Sequence, residues 1–415
     1  MAGCSAPWRA RTARVLALSL LLLFLSACAA PTPTPEPVTV RFAFLDVDAA
    51  YYQPLAEKFG QEHPNIIIQL VPRNGQQLSE LRPEDADVFV TQSIHARQEK
   101  GELLSLDPWL SQDKSFAPGQ FYPGTLQIFQ RDGKTWGLPL SVDPIIMFYN
   151  KDLFNLYKVP TPQPGWTWDE FLATARALRH KDEGVYGYAA YPECADCLFF
   201  IYEHGGRVLD DLQNPVHTTF DDPKTIEAME WYARLITEFD VAADPDRAYE
   251  IFGGGSQYAV YYGIYGSKIG LWIGALSEQG GRYWPRPWEF KWGMTTLPRD
   301  ARNLTAASVS GLAIFAQSQH PEAGWQWIDF LSRQMPGQYV PARIALAESP
   351  AYEQLVGPQA AAVVRAAMAG EVIIAEPEGD FSAAMTAFQQ AMKDVLAGRA
   401  EVAGALRKVQ QEAGQ

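Results

Sequence analysis

Cysteine is scarce in this chain: four in 415 residues, at Cys4, Cys28, Cys194 and Cys197. That number excludes a disulfide-built scaffold, and only Cys194-Ala-Asp-Cys197 has the spacing of a redox pair or half a zinc site. Zinc would need two further ligands, and His180, His204 and His217 do not stand at a ligand spacing. No thioredoxin-like unit surrounds the pair. HExxH, GxSxG, a Walker loop and GxGxxG are absent, which removes the usual signatures of metalloprotease, hydrolase and nucleotide chemistry. Basic residues are outnumbered, 34 Lys and Arg against 48 Asp and Glu for a net charge of −14. The deficit argues against nucleic acid or an anionic lipid surface as partner. After residue 25 no apolar run approaches membrane-spanning length; Ile251 to Leu276 is interrupted by glycines and polar residues.

The one apolar run is Val15 to Leu25, eleven residues with a single serine, preceded by Arg9, Arg11 and Arg14. It is too short for a bilayer, which takes about 20 residues, and has the layout of an export signal ending in small residues. Leu25-Ser-Ala-Cys28 resembles a bacterial lipobox, in which cleavage precedes the cysteine and that cysteine is acylated. The resemblance implies a signal peptide over 1–27 and a lipid anchor on Cys28, with several acyl chains giving stable attachment. An ordinary cleaved signal is the bland alternative. Residues 28–37 alternate proline with threonine or glutamate, an extended tether of about 3.1 Å per residue. In an exported chain a small structural disulfide is the expected state of Cys194 and Cys197.

About 378 residues follow the tether, enough for two domains or one large bilobal unit. Val38 to Leu45 alternates as a strand, and Tyr52, Leu55, Ala56 and Phe59 then line one helical face before His63-Pro64. Ile66 to Val71 and Asp87 to Val90 are further strand-like runs, so the opening has the βαβ order of a parallel sheet. Gly133 to Leu140 suggests a hairpin entering a strand, Asp143-Pro144 interrupts it, and Ile145 to Tyr149 resumes. Thr167-Trp-Asp-Glu170 is a capping box, Asp222-Pro223 and His320-Pro321 open two more helices, and Asp380 is a candidate cap for a fourth.

Several motifs in order resemble the family 1 extracellular solute-binding proteins, the sugar-receptor lipoproteins of ATP-driven importers related to maltose-binding protein. They are Gly137-Leu-Pro-Leu140, Tyr149-Asn-Lys-Asp-Leu-Phe154, Thr167-Trp-Asp-Glu-Phe171, Ser308-Val-Ser-Gly-Leu312 and Val340-Pro-Ala-Arg343. The resemblance implies an α/β, two-lobed, periplasmic-binding-protein-like (type II) fold whose hinge is crossed several times. Lobe 1 would be 38–143 plus 311–340, and lobe 2 would be 144–310 plus 341–415. It further implies a carbohydrate, an oligosaccharide in the first instance, held between the lobes of a monomer without cofactor or metal. The closed form would then be read by the membrane permease of an ABC importer, outside the cytoplasm.

Ligands of open parallel sheets sit beyond the carboxyl ends of strands. That nominates Asp46, Arg73, Asn74, Gln92 and Ser93, each of which could equally be a turn or helix-cap residue. Asp143 matches a cleft-facing acidic position of the family, Ser310 and Gly311 fall at an expected hinge crossing, and Arg343 matches an arginine that often faces the cleft. Among aromatic residues, Trp168, Trp231 and Trp327 read as helix packing, Trp272 as core or cleft, and Trp284 and Trp288 as cleft or rim. Many members carry a stacking tryptophan after the strand that here ends Gly274-Ala-Leu276, and this chain does not match it there. A sensor for a membrane kinase would share the fold. A secreted glycosidase, with Asp46 and Asp143 as acid and base, is the remaining alternative.

Overall fold

A computed structural model describes residues 36–191, 194–212, 215–255, 258–374 and 381–413. The expected signal peptide, Cys28, most of the tether and Asp380 lie outside the described residues. The strands are β1 (Val38–Leu45), β2 (Ile66–Arg73), β3 (Val88–Thr91), β4 (Gln130–Arg131), β5 (Lys134–Thr135) and β6 (Leu138–Asn150). They continue as β7 (Tyr186–Tyr188), β8 (Ile269–Ala275), β9 (Trp292–Thr295), β10 (Leu304–Ile314), β11 (Val340–Pro341) and β12 (Glu371–Ile373). Ten of them share one sheet with the path β2-β1-β3-β10-β6-β8-β7, to which β9 and β11 add on β6 and β12 on β10. Among the described residues no helix is long and apolar enough to cross a membrane.

The opening βαβ unit follows its sequence pattern. β1 runs parallel to β2 and β3, in register from Val38 opposite Ile66 to Leu45 opposite Arg73. The intervening helix, Ala49–Glu62, buries Tyr52 and Phe59. Phe59 meets Trp327 of the helix Pro321–Ser332 edge-on at 5.1 Å, and Phe42 of β1 does so at 5.6 Å. Removing such a fully buried indole costs about 3–5 kcal/mol. A second core gathers Trp168, Phe171, Phe200, Tyr232 and Phe388. Helix entries there are set locally: Thr167 and Glu170 bond reciprocally, and Asp222 accepts from the backbone of Lys224 and Thr225. A disulfide joins Cys194 to Cys197.

The hairpin is the small β4–β5 pair, turned by Asp132 and Gly133 with φ of 52° and 69°, the two positive angles a tight I′ turn needs. Asp143-Pro144, expected to interrupt the following strand, instead lies within it, and β6 is continuous from Leu138 to Asn150. Proline's fixed φ suits an extended chain, and the neighbours of β6 change at this point, so a missing N–H is tolerated. Up to Pro144 the strand pairs with β10, and with β11 at Ser141 and Val142. From Ile145 it pairs with β8, and from Met147 with β9. β10 does the same in reverse, pairing with β12 through Leu304–Ala306 and with β3 through Gly311–Ile314. Two long strands are thus shared by both halves of the sheet.

Candidate functional site

Where β6 and β10 pass between the halves, they floor a cavity of about 260 Å³. Leu45 and Val90, at the ends of β1 and β3, form one side with Asp48, Tyr51 and Tyr52. Ser277, Arg282 and Tyr283 form the opposite side, and Gly337, Gln338 and Tyr339 close a third. A larger hollow of about 670 Å³ shares Leu45, Val90, Gln92 and Ser310 with it and extends towards Arg82, Arg97 and Lys100.

The far wall is built from the turn after β8. Asp143 of β6 accepts the Ser277 N–H at 2.9 Å on one oxygen and the Ser277 hydroxyl at 2.6 Å on the other. Those bonds fix the segment Leu276–Gly281. Gly281 then turns with φ of 79°, where a side chain would collide with the backbone at Arg286 and Trp288. The turn delivers Arg282 and Tyr283 to the cavity. Arg282 donates to Asp48 at 2.7 Å, Tyr283 and Tyr339 share a hydrogen bond through their hydroxyls, and Gln279 donates to the Gln338 carbonyl at 3.5 Å. The first joins the turn after β8 to the β1 side, and the other two join it to the side formed by Gly337–Tyr339.

Electrostatics follow from enclosure. Burial raises the Asp143 carboxyl above the usual range, opposed by its two Ser277 bonds. Burial also raises Asp48, against the pull of Arg282. Desolvation pushes the Tyr51 and Tyr339 phenols well up, so both stay neutral. Among the described residues no group of three or more His, Cys, Asp or Glu could hold a metal ion.

The sequence-nominated residues divide in two. Gln92, Asp143 and Ser310 line the cavity, and Ser93 lines the adjoining hollow. Asp46 starts a short 3-10 turn, exposed, and the lining carboxylate is Asp48 two residues on. Arg73 closes β2 and bonds the Pro72 carbonyl, while Asn74 caps the helix Gly75–Ser79. Gly311 is covered by the Phe129 ring, which a side chain there would strike at 2.4 Å. Arg343 packs over Phe121 and bonds Gln120 at 2.6 Å and the Ser332 carbonyl at 3.1 Å.

The three tryptophans pack together instead of lining the cavity. Trp272 is fully buried, Trp288 lies edge-on to it at 5.1 Å, and Trp284 meets Trp288 while donating to Glu278 at 2.9 Å. A β8 position flanked by Phe148 and Phe290 is enclosed on every side, which places Trp272 in the core. The aromatic lining is tyrosine: Tyr51, Tyr52, Tyr283 and Tyr339. Sequence reasoning took Tyr52 for helix packing and passed over the others. The available signal was Gly280-Gly281-Arg-Tyr283, a turn that presents two bonding side chains.

Comparison with known proteins agrees with this architecture. Over 297 residues, 68% of each chain, the protein is 24% identical to a binding protein of Brucella abortus. It is 23% identical over 207 residues to the arabinooligosaccharide-binding protein of Bacillus subtilis, 50% of this chain and 43% of that one. The ABC substrate-binding protein of Listeria monocytogenes, solved in complex with cycloalternan, superposes with a TM-score of 0.70 at 18% identity, covering 91% of this chain and 98% of the other. The sequence profile of the bacterial extracellular solute-binding proteins matches residues 45–335, and the chain belongs to that family.

Proposed function

We propose that this protein is a lipid-anchored, extracytoplasmic receptor that captures a carbohydrate between two lobes and passes it, unchanged, to an ABC importer. One observation carries the reading. The cavity lies at the carboxyl ends of β1 and β3, where β6 and β10 cross, and contacts from both sides close it. A ligand held there touches both lobes only when they approach, and so selects the closed form. The lobes meet at Asp143 on β6 and near Ser310 on β10, giving lobe 1 as 38–143 plus 311–340 and lobe 2 as the remainder from 144. Carbohydrate is favoured because the Bacillus relative is named as an arabinooligosaccharide-binding protein and the Listeria structure is a complex with cycloalternan. The wall suits it too, with phenol rings for apolar sugar faces and Ser, Gln and Asp groups for hydroxyls. An oligosaccharide would seat one end in the cavity and run into the adjoining hollow. The exposed position of Asp46, away from the lining, weakens the glycosidase pairing with Asp143.

Calorimetry against a panel of mono- and oligosaccharides is expected to show saturable binding, with the sugar recovered intact. Solution scattering should report compaction on binding. Chemical conversion of a bound sugar, or tight binding of a peptide with no sugar bound, would overturn the reading. Incorporation of labelled palmitate, lost in Cys28→Ala, tests the anchor, and loss of uptake of the bound sugar on deletion of the protein tests delivery.

A further inference from the structure

The cavity has an imbalance of charge and of hydrogen-bonding capacity. Its lining holds one cation, Arg282, and two carboxylates, Asp48 and Asp143. Arg282 is taken by Asp48 at 2.7 Å. Asp143 is left with Ser277 as its hydrogen-bonding partner, and among the described residues no Lys or Arg forms an ion pair with it. A carboxylate offers about four acceptor sites, and two are used. Two further polar atoms of lining residues, the Gln338 side-chain oxygen and the Tyr51 hydroxyl, are buried without a partner and closed off from the cavity. The wall is therefore short of cations and lined by tyrosines, whose π-systems favour positive charge.

We propose that the preferred ligand is an amino sugar, a carbohydrate whose ammonium group docks against Asp143 beside the tyrosine rings. This rests on the carbohydrate reading above and narrows it. An ammonium carries three donors and no acceptor, which fits the unused acceptor sites of the Asp143 carboxylate. It also restores the missing charge, since a buried carboxylate is costly unless a cation accompanies it. The upward push of burial on Asp143 is what an unaccompanied carboxylate feels, and a bound ammonium would reverse it. A uronate or phosphate ester would instead set its anion against Asp143, with Arg282 already engaged. Neutral hexoses can still bond Asp143 through two hydroxyls, without the charge-assisted gain.

The test is calorimetry on the purified protein with matched ligands: glucosamine, galactosamine and mannosamine, their parent hexoses and the corresponding uronates, plus the glucosamine disaccharide against cellobiose. At neutral pH at least one amine is expected to bind about tenfold tighter than its parent, the scale of one charge-assisted bond, and uronates to bind weakest. Raising the pH past the ammonium's own pKa should erase the preference and leave hexose affinity in place. The titratable groups acting around Asp143 are Glu278, Tyr283, Tyr339 and Tyr352, with Asp48 and Arg282 across the cavity. The four that share Asp143's field are all pushed upward, so the phenols stay neutral over that range. Asp143→Asn should bring amine and hexose within about twofold, with the hexose still bound. Hexoses that bind as tightly as their amines, or an amine preference that persists above the ammonium's pKa, would overturn the inference while leaving the sugar receptor intact. A protein that binds simple amines such as choline and no carbohydrate would overturn the receptor reading itself. The pH series uses the unmutated chain, so it decides the matter even if Asp143→Asn fails to fold.

Discussion

Asp196 is a buried aspartate and Asp143 a half-buried one, and their hydrogen-bonding surroundings differ. Asp196 sits inside the Cys194–Cys197 loop, where it accepts from the Tyr188 hydroxyl at 2.6 Å, the Tyr232 hydroxyl at 2.9 Å and the Tyr191 N–H at 3.1 Å. Donors enclose it. Asp143 accepts two bonds from one serine and turns its remaining capacity to a cavity. Burial raises both carboxyls, Asp196 to about 6. A carboxylate that the fold fully satisfies holds the fold together, while one left half satisfied beside a cavity is available to something that enters.

Four experiments press on that contrast. The largest effect is expected for Asp196→Ala, which leaves two buried phenols and an N–H without their acceptor. Urea unfolding should show a loss of about 3 kcal/mol or more, and a loss below about 1 kcal/mol would break the comparison.

Glu203 is a third carboxyl, buried and satisfied less well than either. It accepts from the Leu304 N–H at 3.3 Å with one oxygen, and its other oxygen has no partner. Burial pushes it from 4.5 to about 8. The folded chain therefore keeps this proton across a window in which the unfolded chain has lost it. Its contribution is complete below about pH 4.5 and is lost as pH rises through about 8. Glu203→Gln should be near neutral at low pH and gain stability over the parent steadily as pH climbs to 8. A difference independent of pH would show that Glu203 is ionised in the fold.

For Asp143→Asn the expected stability change is smaller, under about 1 kcal/mol, because the amide oxygen can still accept from Ser277 and a charge without a cation is removed. Denaturation midpoints beside those of Asp196→Ala make the comparison direct. Smallest is the Asp48–Arg282 pair, partly exposed at 13% and 25%. A double-mutant cycle should give about 0.5–1 kcal/mol of coupling, reduced by salt. A salt-independent coupling would mark the bridge as enclosed.

Legibility in the sequence tracked the range of the interaction. Val38–Leu45, the Thr167 capping box and the Asp222-Pro223 helix start are fixed within a few residues, and the alternation, caps and proline positions marked them. The continuity of β6 through Pro144 was not legible, because it depends on β10 and β8 arriving from more than a hundred residues away. The site was half legible for the same reason. The rule of strand ends found Gln92, while Tyr283 and Tyr339 are brought together by chain folding alone. Tryptophan was misleading as a marker: the bulk that suits it to a sugar face also suits it to the core beneath β8.

Pro144 leaves one rung out of the ladder at the place where β6 exchanges its neighbours. On the receptor reading proposed above, a sheet bending there would give up no bond from the Pro144 nitrogen, and the two halves would rock with the rungs on either side kept. Opening and shutting would then cost little backbone enthalpy, and the balance between the two postures would be set by whatever occupies the gap.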